Sequence, residues 1–292
     1  MAAPPIKIVR LDGIHSEPPV FSIPHTYVEY PTTPDVSTIP GRIGDADVVL
    51  TTRVPITAST LDACPNLKFV AVFAIGYDMV DLIACKERGI KVANVPAASS
   101  STLDEAVAEH AISFYFALRR NLVGMHAKMV DGKEEWKSKG SLTSLKILSL
   151  LGVCFLKWGG LPRTCREETL CILGGGELVP GARVANLGRT LGMKVLIAER
   201  KGVPATSVRP GRIEFTIALQ TSTVIILTMP LSPSTANTIS QPEFRLIQPD
   251  GLVINVSRGG IVNEEALVDA LRERKIAGAS TDVYPEEPAG RE

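Results

Sequence analysis

The sequence lacks an excess of charge of either sign. Its 31 Lys and Arg residues are balanced by 31 Asp and Glu residues, so the formal net charge is zero. Proteins that bind nucleic acids or anionic membranes through charge carry a basic surplus. We therefore expect no nucleic acid and no membrane among the partners of this chain.

Cysteine is scarce and irregularly spaced. The five cysteines in 292 residues include no C-x-x-C pair. An odd number without close pairs argues against a disulfide framework and against a structural zinc site. The sequence therefore predicts no metal and fits a reducing, cytoplasmic location.

Long apolar segments are also missing. Residues 1–5 show no basic region followed by an apolar core, so they do not resemble a signal peptide. The apolar stretch from Leu145 to Trp158 contains Lys146 and Lys157 and is shorter than the roughly 20 residues that span a bilayer. We interpret residues 142–160 as an insertion rather than a membrane segment.

Short β-branched runs alternate with helical patterns along the chain, which is typical of a parallel α/β sheet. A Pro-Ala-Ala-Ser-Ser-Ser linker at 96–101 separates two such series, and a long helix is predicted over 103–120. The first series is predicted as strands 6–11, 47–51, 68–73 and 91–95 with a helix at 82–88. The second is predicted as strands 170–173, 194–198, 223–228, 252–256 and 276–282 with helices at 182–191 and 264–274. The repeated order predicts two doubly wound, Rossmann-like domains.

A glycine-rich turn follows the first strand of the second series. Gly174 and Gly176 match the first two positions of G-x-G-x-x-G, a turn that lets the backbone approach a pyrophosphate at a helix N-terminus. The third position is Val179, and Gly181 comes two residues late, as though Val179-Pro180 had been inserted. The motif predicts a dinucleotide site, although an ordinary strand-to-helix loop is the alternative.

An acidic residue ends the next strand of this series. Glu199 lies 25 residues after Gly174, where a carboxylate can accept hydrogen bonds from the adenosine ribose and repel a 2′-phosphate. This favours NAD over NADP, and the adjacent Arg200 and Lys201 weaken that preference. A solvated charge at a strand end is the alternative.

Four motifs in order carry a family resemblance. They are Phe-Ala-Ile-Gly-Tyr-Asp-Met-Val-Asp at 73–81, Val-Ala-Glu-His at 107–110, Asn-Val-Ser-Arg-Gly-Gly-Ile-Val-Asn-Glu-Glu-Ala-Leu at 255–267 and Gly-Ala-Ser-Thr-Asp-Val-Tyr-Pro-Glu-Glu-Pro at 278–288. Together they resemble the D-isomer-specific 2-hydroxyacid dehydrogenases, and within that family most nearly glycerate dehydrogenase, also called hydroxypyruvate reductase. The resemblance covers nearly the whole chain except residues 142–160.

The resemblance implies hydride transfer between NAD(H) and a small D-2-hydroxy or 2-keto acid such as hydroxypyruvate, glyoxylate or D-glycerate. It implies a homodimer with a substrate domain at 1–100, an NAD-binding domain at 101–285 and a stub at 286–292 that returns to the first domain. The N-terminal domain would be flavodoxin-like and incomplete at its C-terminus.

The family pattern places substrate binding and carbonyl polarisation on Arg258, whose guanidinium offers a fork of fixed donors. In the same pattern, Glu287 orients a histidine that donates a proton. The other implied contacts are Gly174, Gly176, Glu177 and Leu178 at the pyrophosphate, Glu199 at the ribose, Met229 and Pro230 at the nucleotide wall, Val256, Ser257 and Asp282 at the nicotinamide, and Ile75 and Gly76 at the substrate carboxylate. A core position for Met229 and Val256, a tight turn at Gly76 and a surface loop at Arg258 are the alternatives.

The sequence departs from the family in its histidines. The four histidines are residues 15, 25, 110 and 126, and none follows Glu287. Together with Val179-Pro180 and the segment at 142–160, this indicates a C-terminally truncated chain from an imperfect gene model. Two alternatives stay open: a non-catalytic NAD-binding sensor or interaction protein on the same scaffold, and a chain that folds poorly.

Overall fold

A computed structural model describes residues 4–95, 101–130, 162–174 and 180–287. The chain divides into two compact units, residues 1–99 and 100–292. The predicted insertion at 142–160 lies outside the described residues, and the domain boundaries and roles expected from the sequence stay predictions. Across the described ranges, no helix is both long enough and apolar enough to cross a bilayer.

The first unit is a five-stranded parallel sheet in the order β2-β1-β3-β4-β5. Its elements are β1 (Ile6–Arg10), β2 (His25–Glu29), α1 (Ile39–Ile43), β3 (Val48–Thr51), α2 (Ala58–Asp62), β4 (Phe69–Val72), α3 (Leu82–Glu87) and β5 (Lys91–Asn94). Buried Val and Ile side chains of the central strands form its core with the three helices. Asp81 begins α3 by accepting a hydrogen bond from the backbone N–H of Ala84 at 2.9 Å.

The second unit is also a five-stranded parallel sheet, in the order β10-β9-β8-β6-β7. Its elements are α4 (Ser101–Arg119), α5 (Leu122–Val130), β6 (Thr169–Leu173), α6 (Pro180–Thr190), β7 (Lys194–Ile197), α7 (Phe215–Thr221), β8 (Val224–Leu227), α8 (Gln241–Phe244), β9 (Leu252–Asn255), α9 (Glu264–Arg272) and β10 (Gly278–Thr281). Residues of α4 and α6 form one buried cluster with this sheet, and residues of α7, α8 and α9 form another.

Counted within its own unit, each sheet has the strand order 2-1-3-4-5, which is the flavodoxin-type doubly wound order. The predicted fold class, two Rossmann-like parallel α/β sheets, is therefore confirmed. In each sheet the order reverses beside its first strand, between β1 and β3 and between β6 and β8. Ligands of open α/β sheets bind at such reversal points, outside the carboxyl ends of the strands.

Strand β2 and helices α1, α2, α5, α7 and α8 were not predicted from the sequence. Strand β2 lies at a sheet edge and has no fully buried side chain, so it lacks the continuous apolar run of its neighbours. Helices α1 and α2 have five residues each, which is too short for a helical period to stand out.

A buried ion pair joins the amino-terminal ends of the strands in the second unit. Arg119, the last residue of α4, donates from Nε and Nη2 to the two carboxylate oxygens of Glu168, at 2.6 and 3.1 Å. The same guanidinium donates to the backbone carbonyls of Thr223 at 3.2 Å and Asp250 at 3.0 Å. Glu168, Thr223 and Asp250 come shortly before β6, β8 and β9, so one side chain ties α4 to three strands.

We expect Arg119→Met to lower the free energy of unfolding by about 3–5 kcal/mol, because it leaves the buried Glu168 carboxylate without its counter-charge. Urea denaturation measures the loss. Lys275→Met, which breaks the more exposed pair with Glu273, is the control and has a much smaller expected effect. Equal losses in the two variants would contradict the central role of Arg119.

Candidate active site

Every residue that the sequence assigns to the nucleotide site, and that the structure describes, follows a strand of the second sheet. Gly174 follows β6, Glu199 follows β7, and Met229 and Pro230 follow β8. Val256, Ser257 and Arg258 follow β9, and Asp282 and Glu287 follow β10. Because the strands are parallel, these positions share one edge of the sheet. Gly176, Glu177, Leu178 and Val179 lie outside the described residues.

The ends of β6 and β8 meet closely at the reversal point. Gly174 has φ = +103°, and a Cβ built on it would lie 2.6 Å from the backbone nitrogen of Met229. The Thr228 N–H donates to the Leu173 carbonyl at 2.9 Å and extends the ladder up to this contact. Only glycine fits this backbone position, which leaves a side-chain-free surface at the start of the predicted nucleotide turn.

Glu199 is buried at the end of β7, and its carboxylate is held from several directions. It accepts hydrogen bonds from the backbone N–H of Arg200 at 2.8 Å and of Arg209 at 3.1 Å, from Arg209 Nε at 2.7 Å and from Arg209 Nη2. The side-chain hydrogen bonds from Arg209 hold the pKa of Glu199 far below its usual range, and the backbone donors add to the effect. The carboxylate is therefore ionised and already engaged inside the chain.

Asn255 holds the turn that carries Arg258. Its Nδ2 donates to the Arg258 carbonyl at 2.8 Å, and its Oδ1 accepts from the N–H of Ser257 at 3.2 Å and from the Ser257 hydroxyl at 2.8 Å. Arg258 Nη1 donates to the Ser257 carbonyl at 2.7 Å. No role was predicted for Asn255, although an amide at the end of a predicted strand, three residues before the predicted catalytic arginine, was a usable signal.

Gly259 brings two loops into contact. A Cβ built on Gly259 would overlap the backbone of Tyr284 and Pro285. The loop that carries Arg258 therefore packs directly on the loop that carries Asp282 and Glu287. This contact places the three predicted residues on neighbouring segments, and it was not foreseen from the sequence.

Asp282 faces a histidine from α4. Its Oδ2 lies 3.4 Å from Nε2 of His110, whose ring contacts Phe114 with 4.2 Å between ring centroids. Burial raises the pKa of Asp282, the His110 charge opposes that rise, and the Glu287 carboxylate adds to it. Glu287 also accepts a hydrogen bond from the Tyr284 N–H at 3.1 Å. His110, from the Val-Ala-Glu-His motif at 107–110, thus pairs with a predicted cofactor residue.

In the first unit, Ile75 and Gly76 follow β4. The Ile75 carbonyl accepts a hydrogen bond from Asn94 Nδ2 at 2.7 Å, which fixes the start of their loop. Nearby in the same sheet, at the reversal point between β1 and β3, the buried Asp12 carboxylate accepts backbone N–H groups from Thr52 at 2.8 Å and Arg53 at 2.7 Å.

Metal binding finds no support in the described ranges, where no group of three or more His, Cys, Asp or Glu side chains is arranged to hold an ion. The polar groups at the edge of the second sheet are instead Arg258, Asp282 and Glu287 on two loops in contact. A guanidinium and carboxylates in this arrangement can bind an anion and hold a proton-donating group.

Gly259→Ala tests the contact between the two loops. We expect it to lower the free energy of unfolding by roughly 1–3 kcal/mol, because the added methyl group meets backbone atoms that cannot rotate away. Chemical denaturation measures the change. Gly41→Ala is the matched control, since a Cβ there meets nothing within 4 Å. An unchanged stability of Gly259→Ala would show that the loops are not in contact.

The chain matches known proteins along most of its length. The sequence model of the D-isomer specific 2-hydroxyacid dehydrogenase NAD binding domain matches residues 157–292. A putative 2-hydroxyacid dehydrogenase of Haemophilus influenzae is 35% identical, over 97% of this chain and 84% of that protein. A glycerate dehydrogenase of Methylorubrum extorquens is 34% identical, over 97% of this chain and 82% of that protein.

The structure resembles D-lactate dehydrogenase from Aquifex aeolicus, solved with NAD and lactic acid. The TM-score is 0.72 at 25% identity, over 96% of this chain and 78% of that one. The relatives carry the names of dehydrogenases, so the alternative of a non-catalytic NAD-binding protein finds no support among them. The resemblance drawn from the four motifs is confirmed, and the chain belongs to the D-isomer-specific 2-hydroxyacid dehydrogenases, with that family's NAD-binding domain in its second half.

Proposed function

We propose that the chain reduces a small 2-keto acid of the hydroxypyruvate or glyoxylate class, and oxidises the matching D-2-hydroxy acid, with Arg258 binding the substrate. The observation that carries this proposal is the contact at Gly259, which places the loop of Arg258 against the loop of Asp282 and Glu287. The relative named glycerate dehydrogenase supports the choice of substrate class.

The edge of the second sheet fits NAD. A Cβ on Gly174 would collide with the backbone of Met229, so only glycine fits at the start of the predicted pyrophosphate turn, and no side chain stands there. Gly174, Met229, Pro230, Val256, Ser257 and Asp282 would hold the coenzyme, together with Gly176, Glu177 and Leu178. When bound, NAD(H) supplies or accepts the hydride.

Arg258 has the chemistry to bind the substrate and to polarise its C2 carbonyl. A guanidinium stays protonated throughout the useful pH range and offers paired donors to a carboxylate or carbonyl oxygen. The Asn255 hydrogen bonds fix the backbone on both sides of its Cα, so its position costs little reorganisation. The assignment of Ile75 and Gly76 to the substrate carboxylate stays a prediction from the resemblance.

Glu287 is suited to hold a proton-donating group. Its bond to the Tyr284 N–H fixes the carboxylate on the loop that contacts Gly259. The resemblance implies that this glutamate orients a histidine, which gives a proton to the C2 oxygen as the hydride reaches carbon. None of the four histidines of the sequence follows Glu287. In the chain as given, water or another acid would have to supply this proton, and we expect a rate roughly 10²–10⁴-fold lower.

The test follows NADH absorbance at 340 nm with hydroxypyruvate and with glyoxylate, and NADH binding by fluorescence in parallel. Turnover of either acid is the expected result. Binding of NADH without turnover of any small 2-keto acid would overturn the catalytic proposal while retaining the nucleotide site. Absence of both would overturn the nucleotide site as well.

We also propose a cytoplasmic homodimer. The resemblance supports the dimer, and size-exclusion chromatography with light scattering measures it. Four cysteines in the described ranges carry no disulfide, and three of them are buried, which supports a reducing compartment. Localisation of a tagged chain outside the cytoplasm would contradict that part.

Arg258→Lys separates charge from geometry. We expect kcat/KM for the keto acid to fall about 100-fold, because lysine keeps the positive charge and loses the fork of donors. Steady-state kinetics measure it, and NADH affinity should change little. Arg272→Lys, at an exposed position of α9, is the control. A fall below threefold for Arg258→Lys would remove this residue from substrate binding.

His110→Gln tests the environment of Asp282. An ionised Asp282 carboxylate is a stronger hydrogen-bond acceptor for the nicotinamide amide than the protonated acid, so NADH affinity should decline as pH falls through its raised pKa. Removing the His110 charge raises that pKa further, and the decline should begin at a higher pH. Fluorescence titration across pH measures the shift. His126→Gln, an exposed histidine on α5, should leave the profile unchanged, and an identical profile for His110→Gln would contradict the pairing.

A further inference from the structure

The segment that follows β7 is strongly basic. Residues 198–212 contain four basic side chains and one acidic side chain, a net charge of plus three. One of the four, Lys201, is directed elsewhere, since its Nζ contacts Glu243 Oε1 at 2.8 Å and the Thr238 carbonyl at 3.1 Å. The other three, Arg200, Arg209 and Arg212, are called the arginine cluster below.

The one acidic residue of this segment has no capacity left for a ribose. The Glu199 carboxylate accepts four hydrogen bonds, two from backbone N–H groups and two from the Arg209 guanidinium. Two carboxylate oxygens offer about four lone-pair sites, so these donors fill them. The charge of Glu199 is therefore balanced by Arg209, and its oxygens have no free lone pair to accept hydrogen bonds from ribose hydroxyls.

The arginine cluster retains positive charge after this pairing. Arg209 is 47% exposed and uses Nε and Nη2 on Glu199, so it presents the remaining part of its guanidinium to solvent. Arg200 is exposed, and its guanidinium makes no hydrogen bond or ion pair with the part of the chain that the structure describes.

Arg212 is the third member of the arginine cluster and lies beside Ala198, directly after β7. It is partly buried and donates from Nη1 to the Ala198 carbonyl at 3.0 Å. Burial lowers the pKa of Arg212, and the positive charges of Arg209 and Arg200 lower it further. The charges of Arg209 and Arg200 therefore act on Arg212, which lies beside the strand end that carries Glu199.

The cluster lies where the adenosine end of a dinucleotide is expected. It follows β7, which pairs with β6, and β6 leads into Gly174. In a doubly wound sheet the adenosine ribose is bound at the end of the second strand. A bare ribose gains little from three guanidinium groups, whereas a phosphate matches their paired donors and their charge.

We propose that the arginine cluster binds the 2′-phosphate of NADPH, so that the chain accepts NADPH as well as NADH, with Arg209 setting the preference by occupying Glu199. The inference rests on the proposed function for the location of the nucleotide. It reverses the expectation that Glu199 rejects the 2′-phosphate.

The experiment measures the Kd of NADPH and of NADH by fluorescence for the whole chain, together with Arg200→Gln and Arg209→Gln. Wild type should bind NADPH at least as tightly as NADH. Arg200→Gln should weaken NADPH roughly 10- to 100-fold through the loss of charge-assisted hydrogen bonds and leave NADH unchanged. Arg209→Gln should weaken NADPH similarly and tighten NADH, because the Glu199 oxygens become available to the ribose hydroxyls.

Arg189→Gln, on the exposed side of α6, is the control and should alter neither affinity. Because Arg209→Gln removes a partner of a buried carboxylate, Arg200→Gln keeps the test valid if that variant folds poorly. Rejection of NADPH by wild type, with NADH still bound, would overturn this inference and leave the proposed function in place. Equal weakening of both coenzymes by Arg200→Gln would also overturn it, and loss of both coenzymes from wild type would overturn the two proposals together.

Discussion

The second unit depends on the buried pair between Arg119 and Glu168. Two charges removed from water are tolerated only when their hydrogen bonds are satisfied, and here the remaining donors of Arg119 bind backbone carbonyls before β8 and β9. This fixes the amino-terminal ends of the strands against α4. The loops at the opposite, carboxyl edge of the sheet therefore do not have to hold the strands together.

At that opposite edge, two uncharged residues, Asn255 and Gly259, position the loops that carry the charged side chains. Asn255 supplies three hydrogen bonds to the turn before Arg258, and Gly259 lets two loops touch. A Cβ at Gly259 would overlap the backbone of Tyr284 and Pro285, so a single methyl group there would separate the loops. The two residues that fix the geometry of these loops are therefore not the residues predicted to bind substrate or coenzyme.

The sequence allowed the fold class to be predicted because buried parallel strands are nearly continuous apolar runs, as in β6, β8 and β9. Strand β2 and the shortest helices escaped because an exposed edge strand and a five-residue helix carry little periodic signal. The motifs located Arg258, Asp282 and Glu287, but they could not show which partners these residues have. The engagement of Glu199 by Arg209, ten residues later in the chain, depends on a tertiary contact that no local pattern records.

The two sheets share one strand order, yet the groups at their reversal points differ. In the second unit Gly174 lets the backbone after β6 lie directly against the backbone of Met229. In the first unit the buried carboxylate of Asp12 binds the N–H groups that follow β3, which are the donors that an incoming anion would need. The Asp12 carboxylate thus engages these two N–H groups from within the first unit, so they are not available to a bound anion at that reversal point.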